Sequence, residues 1–253
     1  MSEIIPILSS CYSIGKSILN CDKPEEIVDN KPVSVFSICK KHNIKDLYLV
    51  EKSLTGLIEA YENSKENDIN LRFGYKVSIC QDILDKSEKS LETESRIIVW
   101  LKNSEGYRDL IKISSFANVD GFYYQGRIDY KNLKRLWSDN LMLSIPFYSS
   151  FLHNNALKGH RCLPDFGPIK PNIFIANHIL PFDPLIEKLH KDYAKENSLE
   201  VLNISNVYYY KRQDWPAYCV FRAISERSTF NCPNIDHFGS DRFSFEDYLE
   251  KIQ

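Results

Sequence analysis

Imidazole and thiol groups fall close together at His160-Arg161-Cys162, with His153 and His178 nearby in the sequence. Both group types are zinc donors, but this spacing matches no common ligand pattern, so packing and surface roles are the expectation. Gly15-Lys16-Ser17 looks like the end of a phosphate-binding loop. The pattern GxxxxGK[ST] needs a glycine at position 10, which is Ser10, so the tripeptide reads as a turn. Ser, His and Asp are all present, yet nothing places them as a triad. Asp183 and Asp192 read as a helix cap and a solvated helix face. Phe122-Tyr123-Tyr124 and Tyr208-Tyr209-Tyr210 could stack on bases. Packing in a core or a domain interface is the weightier reading of both. Lys211-Arg212 could touch a phosphate, but a dipeptide has little specificity.

The elements that must position these groups come from a chain of 253 residues, 43% hydrophobic and 26% charged. That is enough for a sizeable core, in one large domain or two small ones. The net charge of −2 supplies no global field toward nucleic acid, and a piece that gripped DNA on its own would be basic. Seven cysteines are scattered without a CxxC pair, which suits a reducing cytosol. Met1 to Ser10 lacks the basic start and long apolar core of a signal peptide. No apolar run approaches the ~20 residues of a membrane helix. A cytoplasmic location and no membrane partner are therefore expected.

The organising stretch is Arg96 to Asp129. Ile97 to Leu101 is a short apolar run of the kind that forms a buried strand. Ser104 can cap a helix, with Glu105 in its first turn. Tyr107, Leu110, Ile111 and Phe116 recur at helical spacing as one core-facing stripe. Asp120-Gly121 closes the unit as a turn, before the aromatic cluster and Gly126-Arg127-Ile128-Asp129. Upstream, strands are expected at Ile4 to Leu8, Leu47 to Val50 and Asn70 to Ile79, the last alternating with Leu71, Phe73, Tyr75, Val77 and Ile79 on one face. Helices are marked by Val35, Ile38 and Cys39 and by Leu57, Ile58 and Tyr61. Gln81 to Ser95 reads as an exposed excursion. Downstream, Leu133, Leu136 and Trp137 mark a short helix, and Leu141 to Phe147 a strand. Ser149 to Pro171 reads as a loop or lid. Ile173 to Ala176 is a strand, and Asp183-Pro184 an N-cap and first turn of a helix through Leu185, Ile186, Leu189 and Tyr193. Val201 to Ile204 is a strand. Helices run from Pro216 through Val220, Phe221 and Ile224, and from Ser244 to Ile252. Strands alternating with helices favour a parallel sheet, open or closed into a barrel.

The pattern LKNSEGYRDLIKISS…GFYYQGRID resembles the middle of the PHP (polymerase and histidinol phosphatase) domain found at the N-terminus of bacterial DNA polymerase III alpha subunits. The resemblance extends over nearly the whole chain. Ser10-Cys11-Tyr12-Ser13 is similar to the family's "HSEYS", Ile44 to Tyr61 to the segment carrying "LTDHGNLYGAVEFY", and Ser198 to Tyr209 to "GLPLVATNDVHY". It implies an α/β fold, the PHP-type distorted (β/α)7 barrel, with residues 1–253 as a single PHP-like domain.

PHP domains that act use metal ions held by His, Asp and Glu to activate water against a phosphoester. Carried over residue by residue, the family's ligand positions fall on Ile7 and Ser9, Glu51 and Lys52, Lys76, Arg96, Pro146, and Asn206 and Tyr208. Only Glu51 could still be an ordinary ligand. Three replacements are cations, Lys52, Lys76 and Arg96. They are expected to pair with Glu51 in place of the lost metals or to reach solvent, and a sharper variant has the trio bind a phosphate.

No catalytic, cofactor-binding or metal-ligating residue, no cofactor and no activity of the chain alone are therefore expected. The resemblance implies a degenerate PHP domain without the polymerase palm and fingers. Its partner would be a polymerase core, at the palm or thumb, with DNA met only indirectly. Two alternatives stand beside this: a metal-dependent phosphoesterase or 3'-5' exonuclease with atypical ligands, and a binding module that mimics or regulates a host polymerase.

Overall fold

A computed structural model of the chain describes residues 3–227, 229 and 240–253. In chain order the elements are β1 (Ile4–Leu8), α1 (Val35–Lys41), β2 (Asp46–Glu51), α2 (Leu57–Glu66), β3 (Asn70–Cys80), β4 (Ser95–Leu101), α3 (Ser104–Val119) and β5 (Arg127–Asp129). There follow α4 (Tyr130–Leu136), β6 (Leu141–Ile145), α5 (Phe151–Leu157), β7 (Asn172–Ala176), α6 (Asp183–Asn197), β8 (Val201–Val207), α7 (Trp215–Glu226) and α8 (Phe245–Ile252). The strands hydrogen-bond in the order β2-β1-β8-β7-β6-β4-β3-β5, and β2 also pairs with β3. The order therefore closes through seven strands, with β5 added outside the ring on β3. This is the α/β closed seven-stranded barrel that the resemblance implies. Among the described residues no helix is long and apolar enough to cross a membrane.

The chain divides into two compact units. The first takes Met1–Phe73, Asn177–Pro181 and Asn203–Gln253. Its strand β1 runs parallel to β2 and to β8, with Ile7 opposite both Tyr48 and Asn206. Leu8, Leu47 and Leu49 are fully buried, and α1 adds Val35, Phe36 and Ile38 to the core. The N-cap Ser34 accepts from the Phe36 amide and starts α1 where the sequence places it. Tyr208, Tyr209 and Tyr210 are all buried. Tyr208 stacks on Tyr218 and Phe243, and Tyr210 on Phe245, so this cluster is packing, as the sequence suggests.

The second unit takes Gly74–Ala176 and Phe182–Leu202. Here β4 departs from the expected parallel sheet, because it is antiparallel to both β3 and β6. The link from β3 to β4 holds only a 3-10 turn, Glu88–Thr93. A parallel return needs a longer crossover, usually a helix. That link is largely exposed, as the sequence suggests, but Ile83, Ser90, Glu94 and Ser95 are buried.

Helix α3 begins one residue earlier than a Ser104 cap requires. The N-cap is Asn103, whose side chain accepts from the Gly106 amide at 2.9 Å. A side chain at Gly106 would put a Cβ 2.5 Å from the Asn140 carbonyl oxygen, so only glycine lets α3 approach that loop. The buried face of α3 is Gly106, Leu110, Ile113 and Ala117, rotated from the expected stripe. Ile111 is exposed and Phe116 half-buried. The stripe was drawn from the largest apolar residues, whereas close packing on β4, β5 and β6 favours small ones beside two aliphatics.

Other helix faces shift for the same reason. In α2, Ile58 and Tyr61 are exposed, and Leu57, Ala60, Asn63 and Ser64 are buried. In α7, Val220 and Ile224 are exposed, and Tyr218, Arg222 and Ala223 are buried. The stretch expected as a loop or lid contains α5, capped by Ser150, with Phe151, His153 and Asn154 buried. Seven residues give too little periodicity to be read from sequence. Asp183 is the first helical residue of α6, whose N-cap is Phe182. It is buried and accepts a hydrogen bond from the Tyr148 hydroxyl at 2.9 Å.

Candidate functional site

The positions implied by the family's metal centre lie at or near strand ends, except Lys76, which lies within β3. In the first unit, β1 runs into Ile7 and Ser9, both buried, and the Ser9 hydroxyl donates to the Val50 carbonyl at 2.8 Å. Glu51 ends β2, 1% exposed. One of its oxygens accepts from the Ser10 amide at 2.7 Å and the other from the Ser13 hydroxyl. The same Ser13 oxygen accepts from the Lys52 amide at 2.8 Å, so the loop after β1 and the end of β2 are tied through one carboxylate. Glu51 thus accepts from an amide and a hydroxyl. Burial pushes the Glu51 carboxyl up to about 7, against the opposing pull of the Ser13 and Ser10 hydrogen bonds. Lys52 itself is exposed.

Asn206 and Tyr208 occupy the last two implied positions. The Asn206 amide donates to His178 Nε2 at 3.1 Å. His178 Nδ1 lies 2.7 Å from the Arg242 carbonyl oxygen, and its ring stacks on Phe243 at 4.1 Å. One nitrogen therefore donates and the other accepts, which fixes a neutral ring. Burial, with Lys251 nearby, brings the His178 pKa down to about 3. His178 is a buried crosslink in the first unit.

In the second unit, β3 carries Lys76 and β4 carries Arg96, both half-buried. The antiparallel register sets Ser78 opposite Arg96 and Lys76 opposite Ile98. Residues paired across antiparallel strands share a face, and so do residues two apart on one strand. Lys76, Ser78 and Arg96 therefore share one face of the β3–β4 pair. An Arg96 Nη donates to Gln125 Oε1 at 2.5 Å, and Gln125 Nε2 donates to Glu94 Oε2 at 2.6 Å. The other Glu94 oxygen pairs with Arg127 at 3.2 Å. Pro146, buried after β6, has no side-chain donor atom to offer a metal.

Arg127 is fully buried and was not singled out from the sequence. Its guanidinium donates to the Gly121, Ile83 and Asp85 carbonyls, to the Ser90 hydroxyl and to Glu94. The Tyr123 ring lies 4.8 Å from it. A Cβ at Gly121 would stand 1.9 Å from the Arg127 carbonyl oxygen, so the chain reverses there only with glycine. This arrangement overturns core packing for the first aromatic cluster, because Phe122 is 51% and Tyr124 75% exposed.

The other sequence candidates hold structural roles. His160 Nδ1 and Cys162 Sγ both bond to the Glu94 carbonyl, at 3.2 and 3.3 Å, so they meet at a backbone oxygen. His153 is buried, with Nδ1 3.2 Å from Asn154 Oδ1. A serine–histidine pair does exist, Ser150 Oγ to His190 Nε2 at 3.1 Å, but neither residue is exposed at all. His190 Nδ1 also bonds the Phe174 carbonyl at 2.9 Å, and burial pushes its pKa down to about 4. This pair closes the core and meets no substrate. Gly15 has φ +74° within a turn, as the sequence suggests. Lys211 pairs with Asp29, and Arg212 with Asp247 and Glu250.

At the implied metal positions Glu51 is the one carboxylate and none carries an imidazole; the others present an aliphatic chain, a proline, a hydroxyl, cations, an amide and a phenol. Among the described residues no three His, Cys, Asp or Glu side chains gather closely enough to hold an ion.

Known proteins agree with this geometry at the level of the family. DNA polymerase III subunit alpha of Thermus aquaticus is 23% identical over 203 residues, covering 76% of this chain and 16% of that protein. The Aquifex aeolicus subunit is 25% identical over 201 residues, covering 72% and 17%. That of Chlamydia trachomatis serovar D is 36% identical over 81 residues, covering 30% and 6%. The chain thus spans about a sixth of the length of the curated relatives it matches most broadly. The PHP domain profile matches residues 28–161, more than half of the 253 residues. With a closed seven-stranded α/β barrel and a profile match of that extent, the chain belongs to the PHP domain family.

Proposed function

We propose that residues 1–253 form one PHP-type domain that has lost its metal chemistry and serves as a structural docking piece for a C-family DNA polymerase core in replication. The observation that carries the proposal is the donor set at the implied ligand positions. Ile7, Ser9, Lys52, Lys76, Arg96, Pro146, Asn206 and Tyr208 replace the groups that a water-activating metal cluster requires. A barrel without that chemistry still offers a surface for docking. The similarity to DNA polymerase III alpha subunits supports a polymerase core as what that surface meets. In this proposal the chain works in the cytoplasm, contacts the palm or thumb region, and meets DNA only through its partner. Its net charge of −2 is consistent with that indirect role.

The test is reconstitution. The full chain is mixed with the palm, thumb and fingers of the DNA polymerase III alpha subunit encoded in the same genome, and the mixture is resolved by size-exclusion chromatography with light scattering. A stoichiometric complex with raised polymerase stability or processivity is the expected result. A chain that never associates with that core, and that hydrolyses phosphoesters with manganese or zinc, would replace this reading with the phosphoesterase one.

A further inference from the structure

We propose that Leu84, Val119, Phe122 and Tyr124 form the surface of the second unit that meets the polymerase core, an inference that rests on the docking role proposed above. The occupant is a core segment in which an apolar side chain is flanked by Lys or Arg.

Arg127 gathers the patch. Its guanidinium bonds to the Ile83 and Asp85 carbonyls at 3.3 and 2.7 Å, on either side of Leu84. It also bonds to the Gly121 carbonyl at 3.3 Å, just before Phe122 and two residues after Val119. The Tyr123 ring lies 4.8 Å from the same guanidinium, and the Tyr124 ring meets Tyr123 edge-on at 4.6 Å. Two segments distant in the sequence are thus pinned to one buried cation. Leu84 is 82% exposed, Val119 75%, Phe122 51% and Tyr124 75%. Single exposed apolar residues are ordinary, but a group of them held at one place marks an interaction site.

Tyr124 is the second observation. Its φ of +58° lies in the left-handed region, which strains a bulky residue and suits Gly or Asn. Most of the residue nonetheless stays in solvent, so its burial in the chain alone offsets little of that strain. Strained residues concentrate where a surface functions. An aromatic fixed on a firm support is a pre-organised anchor, because tyrosine covers a large amphipathic area with few rotamers.

The charges around the patch select the occupant. Within residues 81–89 and 119–125 the exposed carboxylates are Asp82, Asp85, Glu88 and Asp120, against Lys86 and Lys89. Asp82 and Asp85 accept from the Leu84 and Ser87 amides at 2.8 and 2.9 Å, which holds both carboxylates in place. Glu88 begins the turn whose Ser90 bonds Arg127 at 3.1 Å. The rim is therefore acidic. It repels a phosphate backbone, so stacking on bases is disfavoured despite the aromatics. A symmetric contact with a second copy would set the same carboxylates against each other. A cationic segment gains from them, and its apolar side chain covers the aromatics.

The experiment is a binding titration of the purified full chain against the palm, thumb and fingers of the DNA polymerase III alpha subunit encoded in the same genome. Hydrogen exchange of the complex accompanies it. Tyr124→Asn keeps a residue that tolerates the left-handed backbone. It is expected to weaken binding by about tenfold or more, as for an anchor tyrosine, without lowering the melting temperature of the chain alone. Phe122→Ser and Leu84→Ser are expected to weaken binding several-fold. Leu185→Ser, exposed on α6, should bind as the wild type does. Glu88→Gln combined with Asp120→Asn should weaken binding several-fold at low salt and little at high salt. In the complex, residues 82–89 and 119–125 should gain protection, together with a core segment that carries Lys or Arg beside an apolar side chain. Unchanged binding in Tyr124→Asn and Phe122→Ser would overturn the inference and leave the docking role standing. Failure of the wild-type chain to join the core would remove the docking role and the inference with it. A dimer of the chain, or a complex with single-stranded oligothymidylate, that Tyr124→Asn abolishes would assign the face to a second copy or to nucleic acid and also overturn the inference.

Discussion

Replacing Arg127 by methionine keeps most of the stem volume and removes every hydrogen bond of the guanidinium. In the folded chain that group is 0% exposed and bonds to Glu94 at 3.2 Å, to Ser90 at 3.1 Å, and to the carbonyls of Gly121, Ile83 and Asp85 at 3.3, 3.3 and 2.7 Å. Its loss leaves Glu94, 6% exposed, as a buried carboxylate whose remaining support is Gln125. Removing one partner of a buried pair costs about 3–5 kcal/mol, because the other charge stays desolvated. Arg127→Met should fall in that range. Glu94→Gln removes the charge but keeps a polar group for Gln125 and Arg127, so it should cost less, about 1–3 kcal/mol. The double variant no longer buries a lone carboxylate. Its loss should be smaller than the sum of the singles by about 1–3 kcal/mol. Urea unfolding of the four proteins at neutral pH measures this coupling. Hydrogen exchange should show the loops around Asp85 and Tyr123 opening together in Arg127→Met, since one guanidinium holds both. A cost below about 1 kcal/mol for Arg127→Met, or additivity within about 0.5 kcal/mol, would refute the reasoning.

Three further outcomes follow from buried groups and one cap. Glu51 has a carboxyl raised from 4.5 to about 7 by burial, so the folded state holds its proton more tightly than the unfolded chain. That contribution is fully present below pH 4.5 and lost as pH rises through 7, so Glu51→Gln should gain up to about 3 kcal/mol relative to wild type at pH 8 and nothing at pH 4, read by thermal melts. His178 has the opposite sign: its pKa is depressed from 6.5 to about 3, so its contribution is present above 6.5 and lost as pH falls toward 3. His178→Gln should be less stable at pH 7, and its stability should depend less on pH between 6.5 and 4. Asn103→Ala should cost about 1 kcal/mol through loss of the cap on Gly106, whereas Ser104→Ala should be close to neutral in the same urea assay.

Much of the fold was legible because its signals are local. Four apolar residues from Phe73 to Ile79 alternate with the period of a strand, and β3 is that strand. Val35, Ile38 and Cys39, and the stretch Ser244 to Ile252, mark helices in the sequence, and the structure has both helices, capped by Ser34 and Ser244. Helix faces were less legible. Apolar size suggested Ile111 and Phe116 for α3, but the packed face needed Gly106 and Ala117, and only a neighbouring backbone shows that need. The antiparallel direction of β4 is a property of pairing and is not written within either strand.

At the site, the lack of imidazoles at the positions the resemblance implies can be read from residue identities alone. What fills their place cannot. Glu51 lies next to Lys52 in sequence, yet its bonds come from Ser10 and Ser13, about forty residues away along the chain. Arg127 follows the turn and the aromatic cluster in the sequence, and nothing local marks it as buried. Its burial depends on carbonyls from Ile83 and Asp85, brought up by a loop that looks polar and exposed in sequence.

The central claim is that this PHP barrel has exchanged metal chemistry for a structural role. Calorimetric titration of manganese and zinc into the purified, chelator-treated full chain, with phosphodiester hydrolysis followed in the same samples, tests it most directly. The account predicts no stoichiometric binding and no metal-dependent hydrolysis. Stoichiometric binding that switches on hydrolysis, and that is lost in Glu51→Gln, would contradict it.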